Sequence, residues 1–384
     1  MGKPKGKKGS KGGKKVRVPF RRNRLKPRRT KDWTDKNQDA GDHEQDTARI
    51  EHIVTKGELS RHRTITVDED GLADPELQAG VVVAMRGLFA DVDDGTRVWP
   101  CTIRRVLRTQ LIEERHPVTI GDRVRFRITK QAEGVVQEGV IHHVEERKGR
   151  LRRMVNRRIH TIAANVDYAV IVSSAAMPAP KPHMIDRYIV ASLSGDIIPV
   201  VCMNKLDLDV EGRGAEVVER YADLGYRTLL TSAKTGQGID DLREVFKGKS
   251  CVLAGQSGVG KSSLLNAVEP GLNLRIGDIV EHTNKGRHTT STAILIKLKL
   301  GAYVVDTPGI KSLDVSPVPI NEIELHFVEF GPHIPNCKFP DCTHTHETDC
   351  AVQTAVDSGE IHEERYESYV RLFEEYEAAY DPGA

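Results

Sequence analysis

The sequence predicts a multidomain α/β protein: a small β-barrel, then a mainly parallel, doubly wound sheet, then an α-helical module. Three observations predict it. Short β-rich runs separated by Gly, Asp and Pro fill residues 78–150. Apolar strands alternate with helical stretches over residues 151–319. Within residues 320–384, three Cys and two His lie close together and an amphipathic helix follows them.

The basic N-terminus stands apart from the rest of the chain. Residues 1–31 hold 15 Lys and Arg and no Asp or Glu, which leaves 42 basic and 55 acidic residues elsewhere. Such a segment cannot bury a core, so residues 1–77 are predicted to be a disordered tail and linker. Nucleic-acid phosphate is the favoured partner of the tail. The alternative is a solvated tail that only aids solubility.

The sequence predicts neither a membrane span nor a secretory signal. The chain of 384 residues is 38% hydrophobic and 29% charged, as in soluble globular proteins. It lacks a run of about 18 apolar residues, and its basic start lacks the apolar stretch of a secretory signal. We therefore expect a cytoplasmic protein without a membrane partner. Cys101, Cys202 and Cys251 stand alone in apolar strands and are expected to pack in cores.

The barrel is predicted from "AGVVVAMRGLFADV", "RVWPC", "DRVRFRI" and "GVVQEGVIHHV". Their spacing favours a small antiparallel barrel of a kind that often binds RNA. Seven Arg or Lys follow within residues 147–158, either as a contact for RNA phosphates or as a solvated connector. In the next domain, "ILIKLKLGAYVVDT" predicts a hairpin that adds one antiparallel edge to a parallel sheet.

A phosphate-binding loop follows the strand "CVLA". Residues 255–262 match G-x-x-x-x-G-K-[ST], and the helix "SSLLNAV" follows. Lys261 is predicted to reach the β- and γ-phosphates, and the Ser262 hydroxyl to bind Mg²⁺. The predicted phosphate-binding residues are Gly255, Gln256, Ser257, Gly258, Val259, Gly260, Lys261, Ser262 and Ser263.

Two further segments are predicted to complete the Mg²⁺ and phosphate site. In "VVDTPGI", Asp306 lies where an Asp binds Mg²⁺ through water, and Gly309 offers an N–H to the γ-phosphate. In "NKGRHTTSTA", Thr290 is the favoured Mg²⁺ ligand, with Thr289 as a neighbouring candidate. The alternative for this segment is a loop without chemistry.

Guanine selection is predicted from "NKLD" and "TSAKTG". Asp207 can accept both N–H groups on the guanine edge, which adenine does not present, and Asn204 can hydrogen-bond the base. The stem of Lys205 can pack over the ring. An ATP-using enzyme is disfavoured by Asp207. The predicted base-site residues are Asn204, Lys205, Leu206, Asp207, Ser232, Ala233 and Lys234.

The motif order is a cyclic rotation of the usual GTPase order, since the base-reading loops precede the phosphate loop. This order places DTPG last, next to the Cys/His module, and predicts that the nucleotide loop passes its movement to that module. Ile310 follows DTPG where a Ras-like enzyme carries Gln, so intrinsic hydrolysis should be slow. His288 is the candidate catalytic residue. The alternative is an exposed histidine without a catalytic role.

The Cys/His cluster predicts a structural zinc site. Cys337-x₄-Cys342-x-His344-x₅-Cys350 supplies three thiolates and one imidazole, a closed set of four ligands. His346 is a competing ligand, but His344 is favoured. Disulfides are disfavoured for three Cys in a reducing compartment.

Together these motifs resemble the RsgA (YjeQ) family of GTPases over about residues 78–380. The resemblance implies an OB-fold, a circularly permuted GTPase domain and a zinc domain. It implies a monomeric factor that acts late in 30S ribosomal subunit maturation, contacts 16S rRNA, and hydrolyses GTP to GDP when the subunit stimulates it. The remaining alternative is an RNA-binding or chaperone module whose nucleotide site only regulates affinity.

Overall fold

The computed structural model describes residues 14–19, 62–67, 76–87, 89–104, 107, 117–129, 138–155, 158–272, 294–306 and 318–380. The chain divides into two compact units, residues 1–77 with 104–117, and residues 78–103 with 118–384. In the first unit, β1 (Lys14–Pro19) pairs with β2 (His62–Val67) in an antiparallel ladder. The sequence predicts no strands here. Both segments carry the β-branched residues that favour strands, which the basic composition obscured.

The second unit begins with a closed barrel of five strands. They are β3 (Gln78–Arg86), β4 (Phe89–Asp93), β5 (Val98–Ile103), β6 (Arg123–Ile128) and β7 (Gly139–Val144). The ring runs β3-β4-β5-β7-β6 and returns to β3. The antiparallel prediction is correct for every pair except β5–β7, which is parallel. An odd number of strands cannot alternate direction all round a ring, so one pair must be parallel. The barrel is OB-like.

Alternate side chains fill the barrel interior. Val82, Val92, Phe126 and Ile141 are each fully buried. Cys101 is also fully buried there, as expected for a cysteine in a core. The basic segment, for which the sequence predicts either a contact for RNA phosphates or a solvated connector, includes most of a two-stranded hairpin, which the sequence does not predict. Its strands are β8 (Leu151–Val155) and β9 (Arg158–Ala163).

The doubly wound sheet follows. Its strands are β10 (Tyr168–Ser174), β11 (Ile198–Asn204), β12 (Arg227–Leu230), β13 (Ser250–Ala254), β14 (Ile294–Lys297) and β15 (Tyr303–Asp306). They lie in the order β12-β11-β10-β13-β15-β14, and only β14 is antiparallel to its neighbour. The predicted hairpin is confirmed. Its outer strand also pairs with the barrel, at Ile294 and Ala84.

Helices cover both faces of this sheet. They are α1 (Pro182–Leu193), α2 (Arg213–Asp223), α3 (Ile239–Phe246) and α4 (Lys261–Val268). The central strand β10 directs Ile171 towards α1 and α2, and Val170 and Val172 towards α3 and α4. Because successive side chains of the strand point to opposite faces of the sheet, each face carries its own hydrophobic core. Cys202 and Cys251 are fully buried in the second one.

The C-terminal module consists of short 3₁₀ turns between Ile320 and Asn336, then α5 (Ala351–Asp357) and α6 (Glu363–Tyr380). Phe327, Phe330 and Tyr369 pack together, with the Phe330 and Tyr369 ring centroids 5.0 Å apart. Val190 of α1 joins this core. All three folded parts lie within one unit, so the predicted boundaries at residues 150 and 319 stay predictions.

Candidate nucleotide site and metal centre

Three loops meet at the carboxyl edge of the parallel sheet. One follows β11 and carries residues 205–207, one follows β12 and carries residues 231–234, and one follows β13 and carries residues 255–260. Ligands of open α/β sheets bind beyond this edge. The base-reading and phosphate-binding motifs, separate in the sequence, are therefore brought to one place.

Three glycines of the phosphate loop adopt backbone conformations in which a side chain would be strained or would clash. Gly255, Gly258 and Gly260 have φ values of 145°, 84° and 99°. A Cβ at Gly255 would lie 2.2 Å from the Val172 carbonyl oxygen, and one at Gly260 would lie 2.4 Å from Asn204 Nδ2. The loop enters α4 directly, so its backbone and the helix N-terminus form a cradle for an anion. The described residues fit a bound nucleotide phosphate.

Lys261, the first residue of α4, folds back over this loop. Its Nζ donates to the carbonyl oxygens of Gly255 and Gln256, at 2.7 and 2.8 Å. Burial lowers the pKa of Lys261. Both of these partners are neutral carbonyl oxygens. A phosphate oxygen would supply the negative charge that balances this half-buried ammonium. Ser262, beside it, is 8% exposed, while Ser257 and Gly258 face solvent and Val259 is buried.

Asn204 joins the base-reading and phosphate loops. It is 1% exposed. Its Nδ2 donates to the Val259 carbonyl at 2.9 Å, and its Oδ1 accepts from the Ala233 N–H at 3.1 Å. Lys205 crosses the same gap, because its Nζ donates to the Gly258 carbonyl at 2.6 Å. These two residues therefore hold the loops together, a role the sequence reasoning missed. Their predicted contacts with the base stay predictions.

Asp207 is held by the loop after β12. Ser232 Oγ donates to Asp207 Oδ1 at 2.6 Å, and Lys234 Nζ lies 3.8 Å from Oδ2. Leu206, between Lys205 and Asp207, begins a short 3₁₀ turn, and its N–H donates to the Thr231 carbonyl. The carboxylate is thus oriented before any base arrives, which preorganises a recognition site.

Several predicted residues lie outside this description. His288, Thr289, Thr290, Gly309 and Ile310 lie outside the described residues. Asp306 ends β15, next to the strand that carries the phosphate loop, and only its backbone is described. The predicted roles of these residues in Mg²⁺ binding and catalysis stay predictions.

The four predicted zinc ligands converge. The ligand atoms of Cys337, Cys342, His344 and Cys350 all lie within 4.8 Å of one another. His344 Nδ1 lies 3.5 Å from Cys337 Sγ and 3.3 Å from Cys350 Sγ. His346 is exposed, and its Nδ1 contacts Thr345 Oγ1. The geometry therefore selects His344 Nδ1, and the donor set suits one tetrahedral zinc ion.

Glu324 orients the histidine of this cluster. Its Oε2 lies 2.9 Å from His344 Nε2, on the side of the ring opposite the three sulfurs. Metal-bound histidines commonly donate their second N–H to a carboxylate, which fixes the ring. The His344 carbonyl accepts from Tyr366 OH at 2.8 Å and from Gln353 Nε2 at 3.2 Å. Sequence spacing gave no signal for Glu324, which lies 20 positions away.

Comparison with known proteins gives the family. The RsgA GTPase family model matches residues 144–316. A relative in Thermotoga petrophila, the small ribosomal subunit biogenesis GTPase RsgA, is 40% identical over 77% of this chain and 96% of its own. The same-named protein of Sodalis glossinidius is 38% identical over 78% of this chain and 86% of its own. The chain belongs to the RsgA family of GTPases.

Two solved structures support RsgA membership. YjeQ from Thermotoga maritima is 37% identical, with a TM-score of 0.63 over 78% of this chain and 98% of its own. YloQ, described as a circularly permuted GTPase, is 30% identical, with a TM-score of 0.60 over 79% and 96%. The protein is accordingly a circularly permuted GTPase with an N-terminal OB-like barrel, and it hydrolyses GTP. Among the described residues, no helix combines the length and apolarity needed to cross a bilayer.

Proposed function

We propose that this chain binds the small ribosomal subunit and hydrolyses GTP late in its maturation. The observation that carries the proposal is its similarity to small ribosomal subunit biogenesis GTPases along 96% of the length of one such relative. Intrinsic turnover is slow, because Ile310 cannot orient water, and the subunit stimulates it. The protein acts as a monomer in the cytoplasm.

The nucleotide lies across the three loops in this proposal. Asp207 accepts the guanine N–H groups, and Ser232 and Lys234 support it. The backbone of residues 255–260 and Lys261 hold the phosphates. The orientation of Asp207 by Ser232 and the glycine cradle support this arrangement.

Magnesium is held by Ser262, Thr290 and Asp306 in this proposal, and it would neutralise charge on the β- and γ-phosphates. Gly309 donates its N–H to the γ-phosphate. His288 orients the attacking water. It does so in place of the glutamine of Ras-like GTPases, whose position Ile310 occupies here. The position of Asp306 at the end of a strand beside the phosphate-loop strand supports its part.

RNA contacts involve the basic segments. The tail over residues 1–31 and the hairpin β8–β9 bring Lys and Arg to 16S rRNA phosphates, which makes binding salt-sensitive.

A structural zinc ion stabilises the C-terminal module in this proposal. Its ligands are Cys337, Cys342, His344 and Cys350, and the convergence of their ligand atoms supports this assignment.

GTP turnover with and without purified 30S particles, at two salt concentrations, tests the function. We expect strong stimulation by 30S particles, weaker at high salt, and none by 50S particles or free RNA. His288→Ala should abolish the stimulated turnover with GTP affinity nearly intact. Turnover that no ribosomal particle changes would favour the alternative, an RNA-binding or chaperone module regulated by nucleotide.

A further inference from the structure

Asp93, at the end of β4 in the barrel, is buried against the hairpin of β14 and β15. Its side chain is 4% exposed. Lys297 Nζ donates to Asp93 Oδ2 at 2.8 Å and Tyr303 OH donates to the same oxygen at 3.0 Å. The Gly95 N–H donates to Oδ1 at 2.8 Å. We call Asp93, Lys297 and Tyr303 the junction.

The junction and one backbone pairing hold both ends of the hairpin. Lys297 and Tyr303 face each other in the rung next to the turn. At the other end, Ile294 pairs with Asp306 on one side and with Ala84 of the barrel on the other. The rung that joins barrel to sheet is therefore the rung that carries Asp306.

The charges at the junction are matched. Burial raises the pKa of Asp93, but hydrogen bonds from Lys297, Gly95 and Tyr303 outweigh it and hold the pKa below its usual value. Burial and the neighbouring Asp93 carboxylate raise the pKa of Tyr303 to about 12. Asp93 is thus an anion that accepts from a neutral phenol and an ammonium. Hydrogen bonds to a charged group are the stronger kind.

We propose that Asp93, Lys297 and Tyr303 are positioning residues, which fix the hairpin so that Asp306 is placed for Mg²⁺. The inference rests on the Mg²⁺ role proposed above for Asp306. A hairpin held at both ends by the barrel cannot slide along β13 without breaking the junction. Loss of one junction contact therefore moves or loosens Asp306, and it weakens Mg²⁺ binding more than guanine binding.

Tyr303→Phe tests the inference, because it removes one oxygen and keeps the ring. The readout is the release rate of a fluorescent, non-hydrolysable GTP analogue as a function of free Mg²⁺. We expect the Mg²⁺ concentration that half-maximally slows release to rise about five-fold, the scale of one such hydrogen bond. Well below saturating Mg²⁺ the rate of GTP turnover should fall by a similar factor, whereas at saturating Mg²⁺ kcat and KM should be nearly unchanged.

Two further variants complete the test. Arg125→Gln removes a barrel ion pair with Glu145, at 3.0 Å, that does not contact the hairpin, and it should leave the Mg²⁺ dependence unchanged. Asp306→Asn should raise the Mg²⁺ requirement. If Tyr303→Phe leaves that requirement at the wild-type value while Asp306→Asn raises it, the junction has no positioning role, although Asp306 keeps its proposed one. If Asp306→Asn also leaves it there, the Mg²⁺ assignment and the inference both fail.

Discussion

At the scale of single residues, Asp207 is the residue that we predict to select the base. Its two oxygens are oriented by Ser232 and Lys234, so the carboxylate is fixed before the nucleotide binds. Guanine would offer it two N–H donors, whereas adenine would leave the oxygens that face the base without a donor. An unpaired buried polar group costs about 1–3 kcal/mol, and more when it is charged.

Asp207→Asn should therefore change base selection. The amide accepts through one atom only and turns an N–H towards the donor edge of guanine. We expect GTP affinity to fall at least about 100-fold, while xanthosine triphosphate, which has a carbonyl in place of the amino group, gains affinity. Competition binding against a fluorescent GDP analogue measures both. Equal loss of both nucleotides would show that the loop had collapsed, and an unchanged preference would contradict the assignment.

Glu324 is the second residue whose role depends on one contact. It accepts from His344 Nε2, so Nδ1 is left free for the metal. Glu324→Gln keeps the size and weakens this bond, and we expect zinc affinity to fall about 10-fold to 100-fold. Competition with a zinc-sensitive chelator dye gives the affinity. The control is Glu360→Gln, an exposed carboxylate of the same module paired with His333. Equal zinc affinity in the two variants would show that Glu324 does not orient His344 for the metal.

At the scale of elements, the turn between β4 and β5 is organised by Asp94. Its Oδ1 accepts from the N–H groups of Thr96 and Arg97, at 2.7 and 2.9 Å, and its Oδ2 accepts from Trp99 Nε1 at 2.6 Å. Hydrogen bonds from Thr96, Trp99 and Arg97 hold the pKa of Asp94 well below its usual value. The anion therefore stabilises the turn.

The contribution of this turn should depend on pH. Because the folded pKa is lowered, the stability is fully present above the unfolded value of about 3.9 and is lost as pH falls towards the folded one. Asp94→Asn keeps a single acceptor oxygen, which cannot serve both the turn N–H groups and Trp99 Nε1, so it should destabilise the barrel at about pH 6 and less at about pH 3. Urea unfolding followed by tryptophan fluorescence gives both differences. A difference independent of pH would show that the charge of Asp94 is immaterial.

Local patterns explain which elements could be predicted from the sequence. A glycine loop between a strand and a helix, like a hairpin with a short turn, is specified by residues adjacent in the sequence. The loop over residues 255–262 and the hairpin β14–β15 could therefore be predicted. The hairpin β8–β9 was missed, because its Arg residues masked a strand pattern. Contacts between distant segments were also missed, since Asp93 and Glu324 carry no local sign of a partner. The choice of His344 over His346 was made from the sequence, and the folded loop places His344, not His346, among the three cysteines.

At the scale of the whole molecule, Arg365 ties the C-terminal module to the doubly wound sheet. It lies on α6 and is 5% exposed. Its guanidinium donates to Asp186 of α1 at 2.5 Å and to Glu329 at 2.7 Å. Asp186 also accepts from Tyr221 OH of α2 at 2.6 Å. Burial alone lowers the pKa of Arg365, but Asp186 and Glu329 outweigh it and raise it. The arginine stays charged.

Arg365→Met should cost about 3–5 kcal/mol of unfolding free energy, because it leaves two buried carboxylates without their cation. The matched control is Glu375→Gln, which breaks the half-exposed pair with Arg187 between the same two helices and should cost less than about 1 kcal/mol. Urea unfolding of zinc-loaded protein measures both. Adding Asp186→Asn and Glu329→Gln to Arg365→Met should recover much of the loss, since no buried charge then stays unpaired. If Arg365→Met costs no more than the control, the two parts are joined by apolar packing around Val190, and the buried charges are incidental to the assembly.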